Sequence, residues 1–255
     1  MKKTALSTKE LNILEDVITS YGYVVSFDDL ATLLRGYSHD ALKQQISSLS
    51  SRGWLIRIKR GFYAVANLES HNFSNISPLV ISRVLVPDSY VSFEFALNYH
   101  GFFDQLFNTV SAVTTSRTKT FHFQDLEYRY VKSKSEMMKG FKEITIEGQH
   151  GRVAELEKAL RDFLHFRRDS YTVDLLIEKL KETKNEIDVF KMTDFASAYP
   201  ITLRRRLGFL FDLAGIDSGR LHQNLKGTPG FAKLTKKANL FNAKWRLYYE
   251  DRFTK

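Results

Sequence analysis

The chain has 255 residues, 43% of them hydrophobic and 26% charged, with a formal net charge of +9 and no cysteine. That composition excludes an intrinsically disordered chain and fits a small domain joined to a larger one. It also excludes a disulfide framework, a thiolate zinc site and a cysteine nucleophile.

The N-terminal "MKKTALSTKELNIL" has lysines but no apolar stretch of signal-peptide length, and no apolar run approaches the roughly 20 residues needed to cross a bilayer, so a cytoplasmic protein with no membrane partner is expected. The positive charge is unevenly spread. Residues 1–70 carry 9 Lys/Arg against 7 Asp/Glu, residues 71–199 carry 17 against 18, and residues 200–255 carry 12 against 4. The last stretch therefore suggests an acidic partner, such as nucleic acid or an acidic protein surface.

Three helical patterns open the chain. Ser7 and Glu10 have capping-box spacing ahead of Leu11, Leu14 and Ile18. Ser26 precedes a second helix with Asp28 and Asp29 in its first turn and Gly36 placed to end it. Ser38 opens a third, with Leu42, Ile46 and Leu49 as its apolar stripe and Gly53 as its stop. The period then changes to two. Trp54, Ile56 and Ile58 point one way, Leu55, Arg57 and Lys59 the other, and a turn at Lys59-Arg60-Gly61 returns the chain through Phe62 to Val65. This is the order of a winged helix-turn-helix, whose third helix enters the major groove while the wing lies on the phosphates.

At 100° per residue, the face opposite the third helix's apolar stripe holds Asp40, Lys43, Gln44, Ser47, Ser48 and Ser51. Gln44 can make a bidentate contact to adenine, Lys43 suits guanine or phosphate, and the serines, with Ser38 at the helix start, suit base edges or phosphates. Arg52, Arg57, Lys59 and Arg60 would position the domain without reading sequence.

Residues 67–77, "NLESHNFSNIS", read as a polar linker. Residues 1–68 are thus expected to form the DNA-binding domain, 69–77 the linker, and 78–255 a larger mixed domain. Two amphipathic helices, in "SPLVISRVLV" and "SYVSFEFALNYHGF", precede four strand-like segments between residues 108 and 148, for which an antiparallel sheet is expected. From Val153 the period is helical again, with Val153, Leu156, Leu160 and Phe163 as the core stripe. Glu157 with Arg161 and Lys158 with Asp162 stand four apart, as surface ion pairs do, each worth about 0.3–0.5 kcal/mol.

Further helices follow through residues 172–199 and 202–214. In the last, Leu203, Leu207, Leu210 and Phe211 form the stripe, which leaves Arg204, Arg205 and Arg206 on an exposed side. With Lys233, Lys236, Lys237, Lys244 and Arg246 they are expected to offer a surface to a partner. The fold class is α+β: an N-terminal winged helix-turn-helix followed by a larger mixed domain with an antiparallel sheet and C-terminal helices.

No catalytic, cofactor or metal site is expected. Seven histidines are scattered, with no pair three or four apart, and no phosphate loop, dinucleotide glycine pattern or hydrolase elbow occurs. A metal-dependent nuclease would want a Glu-x-Lys triplet on a strand, and Glu182-Thr183-Lys184 sits in a helical pattern instead. Two alternatives remain: a ligand-responsive transcriptional regulator and a DNA-processing enzyme targeted by the winged helix.

Four stretches, "GWLIRIKRGFYAV", "SYVSFEFALNYHGF", "VAELEKALRDFL" and "RRRLGFLFDLAG", occur in the order found in one family. The chain resembles the AbiEi-type antitoxins of bacterial abortive-infection toxin–antitoxin systems. The resemblance implies a winged helix that represses its own operon at promoter inverted repeats. It also implies a C-terminal domain that counters an AbiEii-type, nucleotidyltransferase-like toxin, either directly or through a shared target. By position, the DNA-contacting residues would be those of the third helix and wing named above.

Overall fold

The computed structural model describes residues 5–73, 76–105, 108–196 and 198–254, so the lysines at positions 2 and 3 and part of the polar segment read as a linker lie outside the described residues. Helix α1 (Thr8–Tyr21) starts at Ser7, whose side chain accepts from the Glu10 N–H while the Glu10 carboxylate accepts from the Ser7 N–H. Its buried line is Ile13, Leu14 and Val17, with Leu11 and Ile18 half-buried beside it. Strand β1 (Val24–Ser26) leads into α2 (Phe27–Leu33), capped reciprocally by Ser26 and Asp29. That helix stops short of Gly36, because the Leu34 carbonyl takes the Tyr37 N–H and closes the chain into a turn.

Helix α3 (His39–Ser51), capped by the Ser38 side chain, buries Leu42, Ile46 and Leu49 as its periodicity predicts. Strands β2 (Leu55–Lys59) and β3 (Phe62–Val65) form the wing, with β1 added on the far side of β3. The winged helix-turn-helix is therefore present in full.

The wing differs from strict alternation. The β2–β3 register shifts between Arg57 and Lys59, a bulge at Ile58. Trp54, Leu55 and Val65 pack into the helices' own core, whereas Ile58 and Ala64, with Val24 of β1, belong to the core of the larger part. The hairpin is thus shared between two cores, one on each face. Some side chains of residues 67–73 and 76–77 are packed as well, although Glu69, Ser70 and Asn72 are exposed. His71 stacks on Trp54 with ring centroids 4.0 Å apart, Phe73 touches both cores, and Ile76 is buried.

The larger part opens with α4 (Pro78–Leu85), which carries proline in its first turn, where no N–H is needed. Next come β4 (Tyr90–Val91) and α5 (Phe93–Tyr99), so "YV" is strand and only Phe93–Tyr99 of that stretch is helix. Phe93 makes the turn between them at φ 58°, a left-handed conformation that costs a phenylalanine about 1–3 kcal/mol and is held by burial of its ring against Phe163. Strands β5 (Thr109–Thr114), β6 (Lys119–Phe123), β7 (Leu126–Lys132), β8 (Phe141–Ile146) and β9 (Gln149–Ala154) join β4 in a six-stranded sheet ordered β6-β7-β5-β4-β9-β8.

The sheet is mixed, which corrects the expectation of an antiparallel one. The β6–β7 and β8–β9 hairpins and the β4–β5 pair are antiparallel, but β7 inserts beside β5 in parallel and β9 runs parallel to β4. Residues 147–150 tie this sheet to the winged helix. Gln149 Nε2 donates to the carbonyls of Tyr21 and Val24, at 3.0 and 2.7 Å. Gly22 (φ 78°) permits that approach, since a Cβ there would stand 2.8 Å from Gln149 Cγ.

Helices α6 (Leu156–Phe166), α7 (Ser170–Thr183), α8 (Val189–Ala196), α9 (Ile201–Ala214) and α10 (Gly219–Leu225) follow. A small sheet of β10 (Ala232–Lys233), β11 (Leu240–Asn242) and β12 (Leu247–Tyr249) follows, with a short 3-10 helix at Asp251–Thr254 after it. Gly208 lets that sheet close on α9, because a Cβ there would lie 2.2 Å from the Trp245 ring.

Helix α6 is not a surface helix. Lys158 and Asp162 are fully buried and paired, and Glu157 and Arg161 are buried beside them, so the surface ion pairs suggested by spacing are core groups. The reason is tertiary: the sheet, α5, α7 and α9 enclose α6. Asp162 accepts from Tyr90 and Ser92 at 3.1 and 2.8 Å, and Lys158 donates to Tyr199 at 2.7 Å. Removing one charge should strand the other. Lys158→Met is expected to lower unfolding free energy by about 3–5 kcal/mol in urea denaturation, and Lys158→Met with Asp162→Leu to recover most of that loss. Equal losses in the single and double variants would show that the pairing is not what holds α6.

Candidate nucleic-acid interface

The exposed face of α3 is built from short polar side chains around one long amide. Lys43, Gln44, Ser47, Ser48 and Ser51 are all exposed, on the side opposite Leu42, Ile46 and Leu49. Lys43 and Asp40 stand 3.9 Å apart at a highly exposed position, an ion pair worth little in water. Ser51 Oγ donates to the Ser48 carbonyl, and Ser38 Oγ accepts the Ala41 N–H, so Ser38 serves first as a cap. The Gln44 side chain makes no hydrogen bond within the described residues.

The four cations grouped by sequence separate. Arg57 and Arg60 are exposed, Arg60 at the tip beside Gly61 (φ 79°). Lys59 is half-buried. Its ammonium lies 4.8 Å from the Phe62 ring centre, and burial, then the neighbouring Lys119, push its pKa down. Arg52 is drawn away from the wing altogether. Its guanidinium makes a two-pronged ion pair with Glu10 and also donates to the Ala5 carbonyl at 3.0 Å, so it closes α3 onto α1 and is not a free phosphate contact. Sequence reasoning passed over Arg35, which is exposed in the turn leading into α3. The signal was available in "LLRGYS", a lone cation between two helices of a helix-turn-helix.

The C-terminal basic set separates in the same way. Arg205 and Arg206, expected on an exposed side, are buried at 2% and 5% exposure. Arg205 donates to the Thr228 and Pro229 carbonyls at 3.0 Å, Arg206 to the Lys233 carbonyl at 2.7 Å, and Arg204 to the Tyr199 carbonyl at 3.0 Å. Arg205 and Arg206 thus satisfy main-chain carbonyls of the segment that folds back over α9, and Arg204 one just ahead of it. Lys244 pairs with Asp212 at 2.8 Å, and the Trp245 indole donates to the same carboxylate. Lys233, Lys236, Lys237 and Arg246 remain exposed. Among the described residues no helix is long and apolar enough to cross a membrane, and no three His, Cys, Asp or Glu side chains are gathered for a metal.

The chain thus joins a winged helix with an exposed polar third helix to a larger α+β body. Residues 12–66 match the family described as "Transcriptional regulator, AbiEi antitoxin", so the resemblance to AbiEi-type antitoxins holds over the winged helix. Over the whole chain the fold is similar to that of the RV2827C protein from Mycobacterium tuberculosis, with a TM-score of 0.70 at 13% identity over 98% of this chain and 94% of that one. At that identity the likeness is one of fold. No curated protein matches the sequence.

The Arg52–Glu10 tie is testable apart from DNA. Hydrogen bonds from Arg52, then Ser7, hold the Glu10 carboxyl down from 4.5 to about 2. A carboxyl lowered in the folded state stabilises above its ordinary value and loses that contribution as pH falls from about 4.5 towards about 2. Arg52→Ala is therefore expected to cost about 1 kcal/mol at neutral pH, and the difference from the parent should shrink over that acid window. A constant difference across the window would separate Arg52 from Glu10.

Proposed function

We propose that the chain is an antitoxin that represses its own operon. Residues 1–68 bind promoter inverted repeats, and residues 78–255 counteract a nucleotidyltransferase-like toxin. The observation that carries the DNA reading is the exposed α3 face, with Gln44 at its centre and two exposed cations beside it, Arg60 and Arg57, the latter donating to the Lys59 carbonyl at 3.4 Å. The family description of residues 12–66 supports both the regulatory and the antitoxin halves. For the toxin, the outward-facing remainder of the basic set, Lys233, Lys236, Lys237 and Arg246, is the surface to examine. It could act by direct contact or through a shared target.

Promoter binding should weaken with salt, with a log–log slope near −0.9 per phosphate neutralised. Arg57→Ala and Arg60→Ala should each lower affinity for all sequences and make the slope shallower by about one, whereas Lys59→Ala should do less because its ammonium faces the body. Gln44→Ala should relax base preference at one position by about 1–3 kcal/mol. Fluorescence anisotropy on operator and scrambled duplexes reads all of these. A slope unchanged by Arg60→Ala would remove the wing tip from the interface, and an unchanged preference would remove Gln44. Co-expression with a toxin gene from the same operon, scored by growth rescue, tests the other half.

A further inference from the structure

A large cleft among the described residues lies far in sequence from the winged helix. It has a volume of about 910 Å³, between the α6–α7 turn, His165–Ser170, on one side and Thr235–Lys237 on the other. That is the size of a small-molecule site. Arg168, Lys236 and Lys237 line it, all exposed, and within the described residues none pairs with a carboxylate.

The carboxylates around the cleft are already committed. Glu94 takes Arg167 in a two-pronged pair, and Asp169 accepts the Thr172 N–H and hydroxyl at 2.9 and 2.8 Å. Glu250 accepts from Ser170 at 3.2 Å and from the buried Thr235, which braces the two walls against each other. Behind them Arg206 adds further positive charge, although burial and then Arg168 push its pKa down to about 10. Arg168 on one braced wall and Lys236 and Lys237 on the other thus line one volume, together with Phe166.

We propose that this cleft binds a nucleoside polyphosphate, with the phosphates held by Arg168, Lys236 and Lys237 and the base laid against Phe166. Cations on opposing walls suit the tetrahedral oxygens of a phosphate chain, which can take charge-assisted bonds from both sides at once. The apolar ring gives the site a reason to hold more than an inorganic anion. Nothing in this proposal depends on operator binding.

Titration calorimetry on the full chain, with ATP as the probe and inorganic tripolyphosphate and a short single-stranded RNA beside it, tests the idea. Saturable ATP binding is expected, tighter than tripolyphosphate. It should fall roughly tenfold or more both in Lys236→Gln with Lys237→Gln and in Arg168→Gln. Those side chains are exposed, so thermal stability and operator affinity should stay at parent values and report that each variant is folded. No saturable binding at millimolar ATP would overturn the proposal, as would ATP affinity that the variants leave unchanged. Tripolyphosphate binding as tightly as ATP would overturn the role given to Phe166. RNA binding that the variants abolish, with ATP inert, would make the cleft a nucleic-acid surface instead.

Discussion

A lysine and an aspartate with no exposure at all stand at the centre of the fold, and the arrangement of sheet and helices depends on them. Moving such a pair out of water costs several kcal/mol per ion, and the cost is offset only if every remaining donor and acceptor is met. Here that condition selects the neighbours. Asp162 needs Tyr90 and Ser92, which fixes α6 over the central strand β4, and Lys158 needs Tyr199, which fixes the approach to α9. The Lys158 ammonium also sits 5.2 and 5.4 Å from the ring centres of Tyr90 and Tyr199. Burial lowers its pKa and Asp162 works against that, so the charged state of the lysine and the packing of three elements depend on one another.

From that centre a continuous path of packing reaches the winged helix. Strand β4 pairs with β9, Gln149 at the start of β9 holds the carbonyls at the end of α1 and in β1, and Val24, Ile58 and Ala64 share the larger core. The wing therefore has one face on its own helices and the other on the body. A winged helix on a free tether could present α3 at any angle to the rest of the chain. This one is set at a fixed angle, so two copies on inverted repeats would carry their bodies in orientations dictated by the half-site spacing.

How much of this was legible in the sequence follows from the range of each interaction. The caps at Ser7, Ser26 and Ser38 involve residues three apart, so spacing alone revealed them, and the stripe of α3 placed Lys43, Gln44 and Ser47 on the exposed side correctly. Lys158 and Asp162 have the same four-residue spacing whether they face water or a core, so spacing could not distinguish the two. The same holds for Arg205 and Arg206, whose partners are carbonyls more than 20 residues away. The insertion of β7 between β5 and β6 was hidden for a similar reason. A local hairpin announces its turn, while a parallel neighbour leaves no mark in either strand's own pattern.

Net charge proved a poor guide to location for a related physical reason. A cation already bonded to a carboxylate or to carbonyls gains little from a phosphate, because it must give up those partners first. Arg52, Arg204, Arg205, Arg206 and Lys244 are all in that position, although they make up much of the basic content that stands out in the sequence. Exposed cations without a carboxylate partner among the described residues include Arg60 at the wing tip and Arg168, Lys236 and Lys237 around the cleft, while Arg57, also exposed, donates to the Lys59 carbonyl. The excess of twelve basic over four acidic residues in the last stretch therefore divides between holding β10 and its approach onto α9 and facing solvent, and only the second share is available to an anionic partner.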